Sequence, residues 1–223
     1  AQLAHPNVVT IYDIGLMGLR HYIAMEFVRG GSLSQLLRDR GPLSLAEALR
    51  LFVETARGLQ AAHQAGVVHR DIKPGNLLLT DAQHVKIVDF GLAKVTPGGG
   101  LREGAPGEDT QFRSSGTPGY MAPEQIHGEK LGPPCDIYAL GITLFCMLAG
   151  MPPHRYLKIE NDFDIMRFQT EGRLPSLKEA RRETPEAIDR LYRYCVASAP
   201  GERYQSVDAF LPTAEQWLAR LTA

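Results

Sequence analysis

His69-Arg70-Asp71-Ile72-Lys73-Pro74-Gly75-Asn76, followed by Asp89-Phe90-Gly91, is the stretch that decides the reading of this chain. Within about twenty residues it sets one candidate base, Asp71, one candidate phosphate-binding cation, Lys73, and two candidate magnesium ligands, Asn76 and Asp89. Transfer of a phosphoryl group asks for such parts, because its transition state needs positioning and charge neutralisation more than covalent chemistry.

Upstream of the motif, residues 8–14 and 21–28 are rich in β-branched and aromatic side chains and alternate, with a glycine-containing turn between them. The pattern predicts a hairpin. Gly30-Gly31 breaks it, and Ser32 with Gln35 marks the start of a short helix carrying Leu33, Leu36 and Leu37. Ser44 and Glu47 repeat that start signal before Leu45, Ala48, Leu49, Phe52, Ala56, Leu59 and Ala62, which recur at helical spacing; Gly66 is the expected stop. Two short strands are expected at 76–80 and 85–90. Residues 96–110, rich in Gly, Pro and charge, read as a long loop.

From Asp136 onward the chain reads as helical. Ile137, Leu140, Leu144, Phe145 and Leu148 belong to a helix apolar nearly all round, hence buried. Thr184-Pro185 opens another, with Ile188, Leu191, Tyr192 and Cys195 on one face, and Ser206 is expected to cap a last one carrying Phe210, Ala214, Trp217, Leu218 and Leu221. A few strands followed by many helices predicts the α+β class.

Bulk properties narrow the function classes. A chain of 223 residues, 44% hydrophobic, can bury a core. The formal net charge of -1 and the absence of a basic stripe argue against a nucleic-acid partner. Cys135, Cys146 and Cys195 are an odd number without Cys-x-x-Cys spacing, which predicts buried thiols in a reducing cytosol rather than disulfides or zinc. The longest apolar run, 137–151, is shorter than the roughly 20 residues of a membrane span. The first residue is Ala and the first Met is Met17, so the chain is expected to begin inside a longer protein.

Together the two motifs resemble the signature of the serine/threonine protein kinases, and within them the bacterial ones. The match runs from His5-Pro6-Asn7-Val8-Val9 to the C-terminus. The resemblance implies a kinase-like fold in which residues 1–28 are the remnant of the smaller lobe and 29–223 the larger lobe, with an activation segment at 89–124. It implies Asp71 as the base toward a substrate hydroxyl, a role worth about 10²–10⁴-fold. Lys73 would touch the transferred phosphate and points to Ser or Thr acceptors. Asn76 and Asp89 would hold Mg2+, a hard cation that takes few protein oxygens beside substrate phosphates. Met25-Glu26-Phe27-Val28 resembles the hinge between lobes, where the backbone of Glu26 and Val28 would bind the adenine of ATP and Met25 would stand behind it.

Gly116-Thr117-Pro118-Gly119-Tyr120-Met121-Ala122-Pro123-Glu124 resembles the end of the activation segment. Thr117 would sit by Asp71 and help seat the acceptor residue. Glu124 would form a buried ion pair with Arg203, Asp136 would anchor the catalytic-loop backbone, and His69 would pack rather than catalyse. Arg70 beside the base implies regulation through the loop, with Thr110, Ser114 and Ser115 as candidate phosphorylation sites and Thr96 a weaker one. Partners implied are proteins bearing Ser or Thr and a second kinase copy for autophosphorylation. A cytoplasmic location is implied, with any membrane anchor elsewhere in the parent.

No glycine-rich loop, partner lysine or pairing glutamate precedes the match, and by the family's order these lie upstream of Ala1. Gly15-Leu16-Met17-Gly18 falls too late to replace them. Loss of one preorganised donor costs on the order of 10²–10³ in rate, so residues 1–223 alone are expected to bind ATP weakly and turn over negligibly. Two other readings stay open. One is a non-catalytic kinase-like scaffold, against which intact Asp71, Asn76 and Asp89 speak for the parent but not for residues 1–223 alone. The other is a small-molecule phosphotransferase, which would lack the 116–124 segment and its Arg203 partner.

Overall fold

The computed structural model describes residues 3–18, 20–90 and 117–222 of the chain. Gly91, Thr96, Thr110, Ser114, Ser115 and Gly116, singled out above, lie outside the described residues.

Strands β1 (Ile11–Met17) and β2 (Arg20–Met25) form an antiparallel hairpin, in register from Asp13 opposite Ala24 to Met17 opposite Arg20, with a one-residue shift between Asp13 and the Ile11–Met25 pair. Gly18 takes φ 64° at the turn, a conformation that suits glycine. The first strand starts three residues later than the pattern predicted, and the second ends three residues earlier. Val8 and Val9 are buried and leave it: Val8 bridges Ile87, and the Val9 N–H donates to the Ile87 carbonyl at 2.9 Å. Beyond Met25 the chain turns outward, and Phe27 is 87% exposed.

Ser32 and Ser44 act as the sequence predicts. Each accepts, through its hydroxyl, the N–H three residues on, opening α1 (Leu33–Arg40) and α2 (Leu45–Gln64). Gly66, at φ 76°, follows the end of α2. Strands β3 (Leu77–Leu79) and β4 (Val85–Ile87) form a second, short antiparallel pair. The 30–32 segment docks on β3 so closely that a Cβ on Gly30 would lie 2.4 Å from the Leu79 carbonyl oxygen.

The remaining elements are helical: α3 (Pro123–Ile126), α4 (Pro133–Ala149), α5 (Pro153–Tyr156), α6 (Asp162–Glu171), α7 (Leu177–Ala180), α8 (Glu186–Cys195) and α9 (Leu211–Thr222). Every residue of α4 from Cys135 to Leu148 is buried, because α2, α7 and α8 pack around it. Gly141 lets α8 close in; a side chain there would meet Val196 Cγ1 at 2.6 Å. Such close packing is normal for a protein interior. All three cysteines are buried and free, and burial pushes the Cys146 thiol up to about 12, too high to act as a thiolate at neutral pH. Ser206 departs from expectation. It precedes a 3-10 turn at Val207–Ala209 and makes no side-chain cap, so α9 begins only at Leu211. The α+β class stands, with two two-stranded sheets among the described residues and helices for most of the rest.

Candidate active site

The motif of 69–76 is a loop, and a loop needs an anchor to hold a shape. Asp136, fully buried in the first turn of α4, supplies it. Its Oδ2 accepts the His69 N–H at 2.8 Å and its Oδ1 the Arg70 N–H at 2.7 Å. His63 of α2 meets Oδ2 from the other side, Nε2 at 2.8 Å. The grip holds Arg70 at φ 70°, a strained conformation for a residue with a side chain. Gln125 of α3 adds a clamp by donating to the Arg70 carbonyl at 2.8 Å.

His69 then links this loop to the strand after it. Its Nδ1 accepts the Asp71 N–H at 3.2 Å, so the ring proton sits on Nε2, which donates to the Val88 carbonyl at 2.9 Å. Phe90 packs edge-on against the ring, centroids 4.7 Å apart. His69 is thus consumed in structure, as the sequence reading had it. The Val88 N–H donates to the Asn76 carbonyl at 3.0 Å, which brings the start of the Asp89-Phe90 segment alongside Asn76. Asp89 itself is exposed, at φ 65°.

The side chains the loop presents form one hydrogen-bonded group. Asp71 Oδ2 accepts from Lys73 Nζ at 2.7 Å and from Asn76 Nδ2 at 3.0 Å. Asn76 Nδ2 also donates to the Asp71 carbonyl at 2.7 Å. Lys73 Nζ reaches across to Thr117 Oγ1 at 2.9 Å, tying the loop to the segment that leads into α3. Asp71 Oδ1 has no protein partner among the described residues. Asn76 uses its amide nitrogen inward, which leaves its oxygen available to a cation. No group of three or more His, Cys, Asp or Glu that could hold a metal occurs among the described residues. A site built from Asn76 and Asp89 would therefore offer two protein oxygens, and that count suits magnesium shared with phosphates.

Behind Thr117, α3 is fixed by Arg203. Its Nη1 and Nη2 donate to Glu124 Oε1 and Oε2 at 2.6 and 2.7 Å, and its other donors go to the carbonyls of Ala197, Pro134 and Ser198. All five guanidinium N–H groups are satisfied, and the group lies 4.8 Å from the Tyr138 ring centroid. Both partners are buried, so this fork is of the kind whose loss leaves an unpaired interior charge.

Glu26 and Val28 are not brought to this cluster. The Glu26 carboxylate accepts from Lys86 Nζ at 2.7 Å and from the Thr10 N–H at 2.8 Å. Burial alone would raise its pKa; the Lys86 ammonium and the Thr10 N–H overcome that and hold it below the ordinary glutamate value. The Glu26 N–H is committed to the Thr10 carbonyl at 2.9 Å, so its carbonyl is what it can offer a nucleobase. The Arg70 side chain is exposed. A groove of about 560 Å³ lined by Leu157, Ile159, Asn161, Arg167 and Arg173, among others, contains none of the cluster's side chains.

Sequence reasoning missed His63, Gln125 and Gln169. Gln169 accepts the Tyr138 hydroxyl proton at 2.6 Å and lies 3.5 Å from the Pro118 carbonyl. The signal available was a polar residue within an apolar helical run: Gln169, which is buried, follows Phe168, and the half-buried His63 follows Ala62.

Comparison with known proteins places this geometry. The family described as the protein kinase domain matches residues 1–216. Among curated proteins, a tyrosine-protein kinase MasK of Myxococcus xanthus is 35% identical over 98% of the chain and 34% of its own length. A probable serine/threonine-protein kinase PknB of Lactococcus lactis is 33% identical over 95% of the chain and 32% of its own length. The serine/threonine-protein kinase PknA of Mycobacterium tuberculosis is 40% identical over 69% of the chain and 35% of its own length. The chain spans about a third of the length of these relatives.

Proposed function

Because this chain belongs to the protein kinase domain family, we propose that it carries the acceptor side of a site that transfers the γ-phosphoryl group of ATP to Ser or Thr hydroxyls of proteins. The observation that carries the reading is Lys73 Nζ, held between Asp71 Oδ2 and Thr117 Oγ1. That arrangement puts a base, a cation and a hydroxyl-bearing platform at one point.

Asp71 orients the acceptor hydroxyl and takes its proton, with Oδ1 free for the task while Lys73 and Asn76 fix Oδ2. Lys73 steadies the phosphoryl oxygens as the hydroxyl oxygen bonds to phosphorus and ADP departs. Asn76 and Asp89 would hold Mg2+, which when bound neutralises charge on the phosphates. The Glu26 carbonyl and the Val28 backbone would meet the adenine edge. Residues 1–28 act as the tail of a smaller lobe and 29–223 as the larger lobe, with 89–124 as its activation segment; Arg70 would receive a phosphate on Thr110, Ser114 or Ser115. Residues 1–223 alone would bind ATP weakly and turn over negligibly.

The acceptor class rests on Lys73 and on relatives named serine/threonine kinases, against one relative named a tyrosine kinase. Phosphoamino-acid analysis of protein labelled by the full-length kinase with ATP and magnesium decides it. Phosphoserine and phosphothreonine are expected; phosphotyrosine alone would overturn the acceptor class and leave the kinase reading intact.

A further inference from the structure

Gly119 lies two residues past Thr117, in a 3-10 turn at Pro118–Tyr120. Its φ is not in the left-handed region, so its backbone is one that any residue can adopt. What excludes a side chain there is a single ring. A Cβ on Gly119 would lie 2.2 Å from His154 Cε1 and 2.3 Å from its Nδ1. The ring fills the space a side chain at 119 would take. Its Nδ1 is buried and has no hydrogen-bond partner, so no polar bond of that nitrogen accounts for its place.

Both sides of the contact are tied to α4. On the His154 side, the residue's carbonyl accepts the Ile159 N–H at 2.8 Å, and Tyr156 packs edge-on against Phe145 at 5.6 Å. On the Gly119 side, Cys146 Sγ lies 3.5 Å from the Tyr120 hydroxyl, while Gln169, held by Tyr138, reaches the Pro118 carbonyl. The turn is therefore pinned before and after Gly119 and backed by His154 at its centre. The front end of the same strip, Thr117, is 2.9 Å from Lys73 Nζ. Because Thr117 is joined to Asp71 through Lys73, a peptide delivering its hydroxyl to Asp71 would pass next to this strip.

We propose that His154 is a specificity-determining positioning residue: its ring sets the backbone path of 117–120, and so the fit of the substrate residue next to the phosphorylated hydroxyl. It touches neither substrate nor nucleotide and acts through Gly119. The inference rests on the kinase reading above.

The test is a double-mutant cycle in the full-length protein, using a peptide library with one Ser or Thr per peptide and then its best member. Gly119→Ala raises the KM for that peptide about tenfold, with the KM for ATP unchanged, because the new methyl meets the His154 ring and the contact is relieved by displacing the strip. His154→Ala alone broadens the library preference at positions flanking the acceptor. Added to Gly119→Ala, it restores most of the lost peptide affinity. Thermal midpoints measured alongside separate this from loss of fold. Additive effects of the two substitutions would overturn the proposal, as would peptide and ATP KM values that rise together with a falling midpoint. No labelling of any peptide by the unsubstituted protein would instead overturn the kinase reading itself.

Discussion

The catalytic-loop region and the β1–β2 hairpin share one chain and are secured in opposite ways. Behind Asp71 the supporting polar groups are tied: Asp136 takes two backbone N–H groups and His63, and Arg203 satisfies all five of its donors deep in the helical body. The hairpin instead leaves Tyr12, Ile14, Leu16 and Met17 between 52% and 74% exposed. Just past the hairpin, Glu26 pairs with Lys86 of β4. The contrast teaches that the cluster around Asp71 is held in shape by ties to the helical body. The hairpin presents exposed apolar side chains, and such a face favours a covering partner.

Substitutions can break the contrast, and the largest effect is expected deepest. Glu124→Ala leaves the Arg203 guanidinium buried without its carboxylate, and should lower unfolding free energy by about 3–5 kcal/mol in urea titrations. A loss below about 1 kcal/mol would mean the fork contributes little. Asp136→Ala removes the acceptor for His69 and Arg70 N–H groups, and should cost about 2–3 kcal/mol while speeding amide exchange at 69 and 70. By contrast, Lys86→Met in the tie to the hairpin should cost about 1 kcal/mol or less, because that pair keeps access to solvent. Leu16→Lys on the hairpin should change stability within about 0.5 kcal/mol and raise solubility.

A pH series sharpens the same comparison. Burial lowers the pKa of His154, with Arg155 adding to the shift and Asp162 opposing it; burial also lowers that of His5, with Arg57 and Lys86 adding to the shift. A folded-state pKa below the unfolded value means the unfolded chain binds protons first as pH falls. The stability contributed by these neutral rings is therefore full above the unfolded value of 6.5 and is lost as pH drops through the range below it. Urea midpoints at pH 7.5 and 5.5 should show lower stability in acid, with a smaller drop in His154→Gln. A rise in stability in acid would contradict the assigned direction.

Features decided within a few residues were legible in the sequence. Ser32 and Ser44 cap helices because the donor they need is three residues away, and α4 announces its burial by being apolar on all sides. The reading failed where a partner arrives only through folding. Val8 and Val9 look like the start of a strand paired with 21–28, yet they find Ile87 instead. Glu54 of α2, on which the helical pattern is silent, is buried and accepts the Val85 N–H, 31 residues on, at 2.7 Å. Ser206 has a cap's chemistry, but the chain continues as a 3-10 turn. Within the candidate site, the roles of Asp71, Lys73 and Asn76 came from motif resemblance. Their shared geometry, with Thr117 joined through Lys73, needed coordinates.

The most direct measurement is the single-turnover rate of phosphoryl transfer by the full-length protein carrying Asp71→Asn, with magnesium–ATP affinity determined alongside. The account predicts a fall of about 10²–10⁴-fold in rate with nucleotide affinity unchanged, since Asp71 handles the acceptor's proton and not the nucleotide. A rate within about tenfold of the unsubstituted protein would contradict it, because Asp71 would then not be the base.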